Sequence, residues 1–186
     1  MKTRVLQALA YLKPEIPSSA PAPVMSLSAD DAPVMTKFLP GLLTAYLVDE
    51  GDSFAYVQGR DLRSAGISEE ELHRGALANL AALAERQLTI REYETVSALL
   101  LDGNFEASLL LLDDLWTHRL RAYARDPIVA IPARDVLAFA DLEAAGGVSE
   151  LRALVKRVWP SCDHPLSENL YRRVDGKWRA YGYGSQ

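Results

Sequence analysis

Four consecutive leucines, Leu109, Leu110, Leu111 and Leu112, constrain the fold of this chain more than any other stretch. At about 100° per residue, consecutive side chains fan around most of a helix's circumference. A surface helix needs an apolar stripe on one side only. Phe105, Leu109, Leu112 and Trp116 fall on one helical face, with Leu111 and Leu115 further round. The spacing predicts a central helix over residues 105–122, held between a sheet and a second layer.

The segments around it read as hairpins and two further helices. Residues 42–49 and 53–58 are strand-like and flank Glu50-Gly51-Asp52, which reads as a hairpin. Ser68 followed by Glu71 is a capping box. It opens a helix that runs to about Arg86, with Leu72, Ala76, Leu80 and Leu83 on one face. Residues 89–101 read as one strand, and 127–132 and 135–140 as two more. Gly146-Gly147 turns into a helix over 150–158 that points Leu151, Leu154, Val155 and Val158 inward. Residues 169–174 and 177–183 flank Asp175-Gly176, a strong two-residue hairpin signal. Strands run together in hairpins without steady βαβ alternation. The chain is therefore expected to be α+β, a largely antiparallel sheet of hairpins packed against a central apolar helix and two further helices. A weak internal echo relates Phe54-Ala55-Tyr56 and Gly66 through Leu72 to Phe139-Ala140-Asp141 and Gly147 through Leu151.

Six of the ten prolines (Pro14, Pro17, Pro21, Pro23, Pro33 and Pro40) lie within the first 40 residues. Residues 1–32 are accordingly expected to be a short amphipathic helix and a proline-rich linker, and 33–186 a single domain. Lys2 and Arg4 before the apolar stretch that starts at Val5 are loosely signal-like. The stretch is short, contains Gln7 and is closed by Lys13-Pro14-Glu15, which argues against cleavage. No apolar run approaches the roughly 20 residues of a membrane span. The single cysteine, Cys162, excludes an internal disulfide framework and fits a reducing cytoplasm. The net charge is −5, yet residues 151–186 hold seven basic and three acidic side chains, leaving −9 on the rest.

Several side chains are candidates for chemistry. On a continuous helix, Glu106 and Asp113 share an edge about 10 Å apart. They would flank a substrate or meet basic partners, Arg134 first among them. Arg134 and Asp135 emerge where the 127–132 strand breaks, as functional groups mounted on a rigid frame often do. Asp114 and His118 share a face without a third metal ligand, so they read as a solvated face, and no metal is expected. Cys162-Asp163-His164 lies between Pro160 and Pro165 and reads as a loop rather than a thiol–imidazole pair. Asn79 interrupts an apolar face and needs a hydrogen-bond partner, by default a loop backbone. In the last hairpin, Arg173 lies opposite Trp178, which allows a cation–π contact. Arg172 lies opposite Arg179, and like charges there call for an acidic neighbour, a bound anion or a bulge. Arg172 and Arg179 are thus the anion-binding candidates. Tyr171, Tyr181 and Tyr183 add stacking surface, but the acidic chain lacks the basic footprint of a nucleic-acid binder.

Asp49 with Gly51-Asp52, Gly66 through Leu72 and on to Ala78-Asn79-Leu80, Gly103 through Trp116, and Ile131 through Asp141 occur in an order that resembles the YtpQ-like family of bacterial proteins. The resemblance covers roughly residues 35–180. It implies a bacterial cytoplasmic protein without a standard cofactor motif and points to no particular activity. The residues themselves favour a non-enzymatic protein-interaction or self-associating module, with no cofactor and no membrane. The alternative is a small hydrolase or ligand-binding enzyme whose pocket is built from Glu106, Asp113, Arg134 and Asp135.

Overall fold

The computed structural model describes residues 2–15 and 27–182. Most of the expected linker (16–26) and Tyr183 lie outside the described residues. The chain is α+β and forms two compact units, Met1–Leu83 and Ala84–Gln186, each built on its own antiparallel sheet. The first unit takes in the described part of the N-terminal segment, where a strand follows the expected helix. Among the described residues of that segment, α1 (Lys2–Leu6) is helical and Leu9–Pro14 is a strand, β1. The reason is visible in the burial: Ala8, Ala10 and Leu12 are buried at every second position, the period of a strand.

In the first unit, β3 (Leu42–Asp49) is the central strand. It pairs with β1 along one edge, and with β2 (Met35–Leu39) and then β4 (Phe54–Tyr56) along the other. The β3–β4 hairpin is the expected one. Two helices follow, α2 (Gly59–Ala65) and α3 (Glu69–Gln87). The capping box that opens α3 is formed: Ser68 N–H donates to Glu71 Oε2 at 2.8 Å, and Glu71 N–H to Ser68 Oγ at 3.1 Å. Leu72, Ala76 and Leu80 are buried. The Asn79 amide donates to the carbonyls of Leu6 and Ala8 at 2.8 and 2.9 Å, which ties α3 to the approach to β1. That is the backbone partner the sequence called for.

The second unit is a six-stranded sheet. Its strands are β5 (Thr89–Glu92), β6 (Ser97–Leu100), β7 (Pro127–Ala133), β8 (Val136–Asp141), β9 (Leu170–Val174) and β10 (Lys177–Tyr181). They run in the order β10-β9-β7-β8-β6-β5. Residues 89–101 are thus a hairpin of two strands, not one. The last hairpin turns through Asp175 and Gly176 at φ of 49° and 74°, the positive pair that a type I′ turn requires. Its register sets Arg173 opposite Trp178 and Arg172 opposite Arg179, as the sequence indicated.

The leucine run is buried but is not a continuous helix. A 3₁₀ turn (Ala107–Leu111) breaks at Leu112, where ψ is 93°, and a π turn (Leu115–Arg119) and a second 3₁₀ turn (Leu120–Ala122) follow. Two indoles account for the break. The Trp116 Nε1–H donates to the Leu109 carbonyl at 2.9 Å and the Trp178 Nε1–H to the Leu110 carbonyl at 3.1 Å. An α-helix would use both acceptors four residues on. Trp116 also stacks edge-to-face on Phe139 and Trp178, with ring centroids 5.5 and 4.9 Å apart.

This segment covers the sheet face that carries Phe139 and Trp178. The opposite face receives the remaining long helix, α4 (Gly147–Val158), which lies on β7 and β8. Ile128, Ala130, Ala138 and Ala140 pack there against Leu151 and Val155. The approach is close at the helix start. A Cβ on Gly147 would stand 2.8 Å from the Ala140 Cβ, so that position takes only glycine without a shift. Among the described residues no helix is long and apolar enough to cross a membrane.

Candidate functional site

The second unit holds a groove of about 590 Å³ beside α4. Its origin is a matter of widths. Strands lie about 4.8 Å apart and a helix is about 10 Å across, so one helix covers about two strands. With α4 seated on β7 and β8, it leaves the outer strands β5 and β6 uncovered on that side. Ala98 lies opposite Ala138 in the β6–β8 register, and these small side chains leave the floor low. Val136 extends the floor, Leu100 stands exposed at its rim, and Leu151 and Leu154 of α4 form one wall. Tyr93, Glu94, Thr95 and Val96, the turn between β5 and β6, close one end. The Arg91 guanidinium lies over the Tyr93 ring, 5.7 Å from its centroid.

Charged groups border this aliphatic floor. Glu94 and Asp135 stand on hairpin turns, while Glu150 and Arg157 share with Leu154 the α4 edge that faces the groove. Positions 150, 154 and 157 recur at the helical period, which is why one edge carries all three. The four charged side chains are exposed and make no ion pair among the described residues.

The four candidate residues of the enzyme reading do not meet in this groove. Asp135 alone lines it. Glu106 is 3% exposed and works as a loop clamp: its Oε1 accepts the N–H groups of Leu101 and Gly103 at 2.9 and 2.7 Å. The other oxygen, Oε2, is buried without a hydrogen-bond partner. The adjacent Ala107 N–H donates to the Arg134 carbonyl at 3.0 Å, so Arg134 meets this segment through its backbone rather than through an ion pair with Glu106. Asp113 pairs with Arg173, whose Nη2 also donates to Thr117 Oγ1 at 3.0 Å. Because the chain breaks at Leu112, Glu106 and Asp113 share no helical edge.

The anion-binding candidates resolve in a similar way. Arg172 donates from Nε to Asp126 Oδ1 at 3.0 Å and forms an ion pair with that carboxylate. The hydrogen bond to Asp126 raises its already high pKa. Asp126 is thus the acidic neighbour that relieves the Arg172–Arg179 juxtaposition, and Arg179 is exposed. Asp114 and His118 stand 3.8 Å apart in solvent. Cys162 is half-buried, its Sγ 3.4 Å from the Trp159 carbonyl, and His164 offers its backbone oxygen to Arg134 N–H. Among the described residues no group of three or more His, Cys, Asp or Glu side chains is placed to hold a metal ion.

No family model, curated protein or solved structure matches the chain. The groove therefore carries the functional argument by itself. Sequence reading missed it because the middle of its floor is Ala98 and Ala138, which leave little mark in a hydrophobic pattern. The detectable signal was the charged edge of α4, Glu150 and Arg157 flanking Leu154.

Proposed function

We propose that the protein is a non-enzymatic interaction module that docks an apolar segment of a protein partner in the groove beside α4. The observation that carries this reading is the pair of exposed apolar side chains on the groove rim. Tyr93 is 56% and Leu100 is 41% exposed, although both adjoin an aliphatic recess. A ligand small enough to sit wholly within the recess leaves those rims in water, whereas a chain segment covers them. An exposed tyrosine that a partner covers is of the type enriched among interface anchors. On this reading the chain is a bacterial cytoplasmic protein of the YtpQ-like kind. The carboxylate/arginine enzyme reading has no comparable support, since three of its four residues lie away from the groove.

Fluorescence anisotropy with a labelled acetyl-Gly-Leu-Val-Leu-Gly-amide peptide tests the reading. Binding by the full chain should weaken about tenfold in Leu100→Ser and in Ala98→Trp, which fills the floor. Leu100→Ser alters an exposed side chain and keeps the test sound if the tryptophan variant folds poorly. Equal affinity in Leu100→Ser, or no binding at millimolar protein, would overturn it. Sedimentation of the protein alone distinguishes a second copy of the chain as the partner.

A further inference from the structure

The charges around the groove define its occupant further. This inference rests on the docking reading above and names the chemistry of the segment. Among the described residues that line the groove, Glu94, Asp135 and Glu150 stand against one cation, Arg157. None of the three carboxylates is neutralised by an ion pair among the described residues, unlike Asp113 and Asp126 on the same unit, which hold Arg173 and Arg172. Cations are present on the unit, and its last part, residues 151–186, carries seven basic against three acidic side chains. Arg172 and Arg173 are held by Asp126 and Asp113, whereas Arg91 keeps its charge over the Tyr93 ring at one end of the groove. The result is an aliphatic floor whose lining carries three carboxylates against one guanidinium, with Arg91 standing over the Tyr93 end.

We infer that the groove takes a basic–apolar peptide segment, one with aliphatic side chains on the floor and lysine or arginine close on either side. The two ends of the groove suit such a segment differently. Glu94 stands on the β5–β6 turn and Asp135 on the β7–β8 turn, so cations at both ends of an aliphatic core each find a carboxylate. Glu150 adds a third from the α4 edge. Arg157, on the same edge as Glu150, repels a lysine placed there and limits how the segment lies. Exposed carboxylates add little affinity individually and act mainly on orientation and partner choice. Acidic–apolar segments are rejected because their charges meet three carboxylates at the border.

The test compares four labelled peptides on the full chain by anisotropy at low and high salt. They are acetyl-Lys-Gly-Leu-Val-Leu-Gly-Lys-amide, its Glu-flanked counterpart, the neutral acetyl-Gly-Leu-Val-Leu-Gly-amide, and acetyl-Lys-Gly-Ser-Thr-Ser-Gly-Lys-amide. The Lys-flanked apolar peptide should bind about tenfold more tightly than the Glu-flanked one. That advantage should shrink as salt shortens the screening length. Glu94→Gln combined with Asp135→Asn and Glu150→Gln should erase it; all three side chains are exposed, so folding should survive. Equal affinity for Lys- and Glu-flanked peptides, with both weakened by Leu100→Ser, overturns the charge assignment and leaves the docking reading standing. Equal binding of the Lys-flanked polar peptide overturns the assignment as non-specific attraction. Loss of all binding, or indifference to Leu100→Ser throughout, overturns both.

Discussion

The two faces of the six-stranded sheet are covered in different ways. One is overlaid by residues 105–122, an irregular run of 3₁₀ and π turns that bends to follow the sheet and buries Phe105, Leu109, Leu110 and Trp116. The other receives α4, a regular twelve-residue helix. The irregular cover closes its face because tryptophan indoles take backbone acceptors and let the chain change direction. The regular cover is straight and about two strands wide, so a strip of sheet beside it stays open. Regularity on one side produces the groove, and the irregular cover on the other buries the core beneath it.

The largest expected effect breaks the closed face. Trp116→Ala removes the indole that joins Phe139, Trp178 and the Leu109 carbonyl, and should cost about 3–5 kcal/mol in chemical unfolding. The next sharpens the account of how that face is built. Glu106→Ala leaves the N–H groups of Leu101 and Gly103 without their acceptor and should cost about 2–3 kcal/mol. Glu106→Gln keeps one oxygen for the same two donors and should retain more than half of that stability. If the glutamine variant is as unstable as the alanine one, the carboxylate has a role beyond the loop clamp.

How much of this could be read beforehand differs between the faces. The α4 face was legible: Leu151 and Val155 follow the helical period, and Gly146-Gly147 marks the start. The hairpin register of Arg172 and Arg173 followed from Asp175-Gly176 alone, since a two-residue turn fixes every pair behind it. The closed face was legible in burial and not in conformation. Four leucines in sequence imply burial, but the acceptor taken by Trp178 comes from 68 residues away, and a local pattern holds no trace of it. The first unit shows the same limit. Its capping box and the bond from Asn79 were local or generic needs, whereas β1 was hidden by the prolines that follow it. The groove was least visible, being a consequence of widths between elements rather than of any residue.

Two smaller effects compare the open and covered parts of the α4 face. Ala130 is fully buried against α4, whereas Ala98 lies on the groove floor. Ala130→Leu should cost about 1–3 kcal/mol through overpacking, and Ala98→Leu less than about 0.5 kcal/mol, measured by thermal unfolding. A similar penalty at both positions would mean that the floor is as tightly covered as the core.

The end of β8 offers a pH-dependent counterpart. Burial raises the Asp141 carboxyl, but N–H donors from Glu143 (3.1 Å), Arg125 (2.6 Å) and Asp126 (3.3 Å) outweigh it and hold the group below the usual carboxylate range. A depressed folded pKa contributes stability that is complete above the unfolded value, about 3.9, and is lost as pH falls through the folded value. Asp141→Asn should therefore cost about 1–2 kcal/mol near neutral pH. The gap from the native chain should narrow as the medium is acidified below the unfolded value. A gap that stays constant down to the acid limit would show that the carboxylate charge is not what the three donors hold.

The central claim is that the sheet is open to a partner on the α4 side beside β6 and sealed on the other. Methyl NMR of the full chain, titrated with the Lys-flanked apolar peptide, tests it most directly. Shifts are expected at Ala98, Leu100, Val136 and Leu154, with Leu109, Leu110 and Ala130 unmoved. Shifts centred on the leucine segment or on the first unit, or a spectrum unchanged at millimolar peptide, would contradict the account.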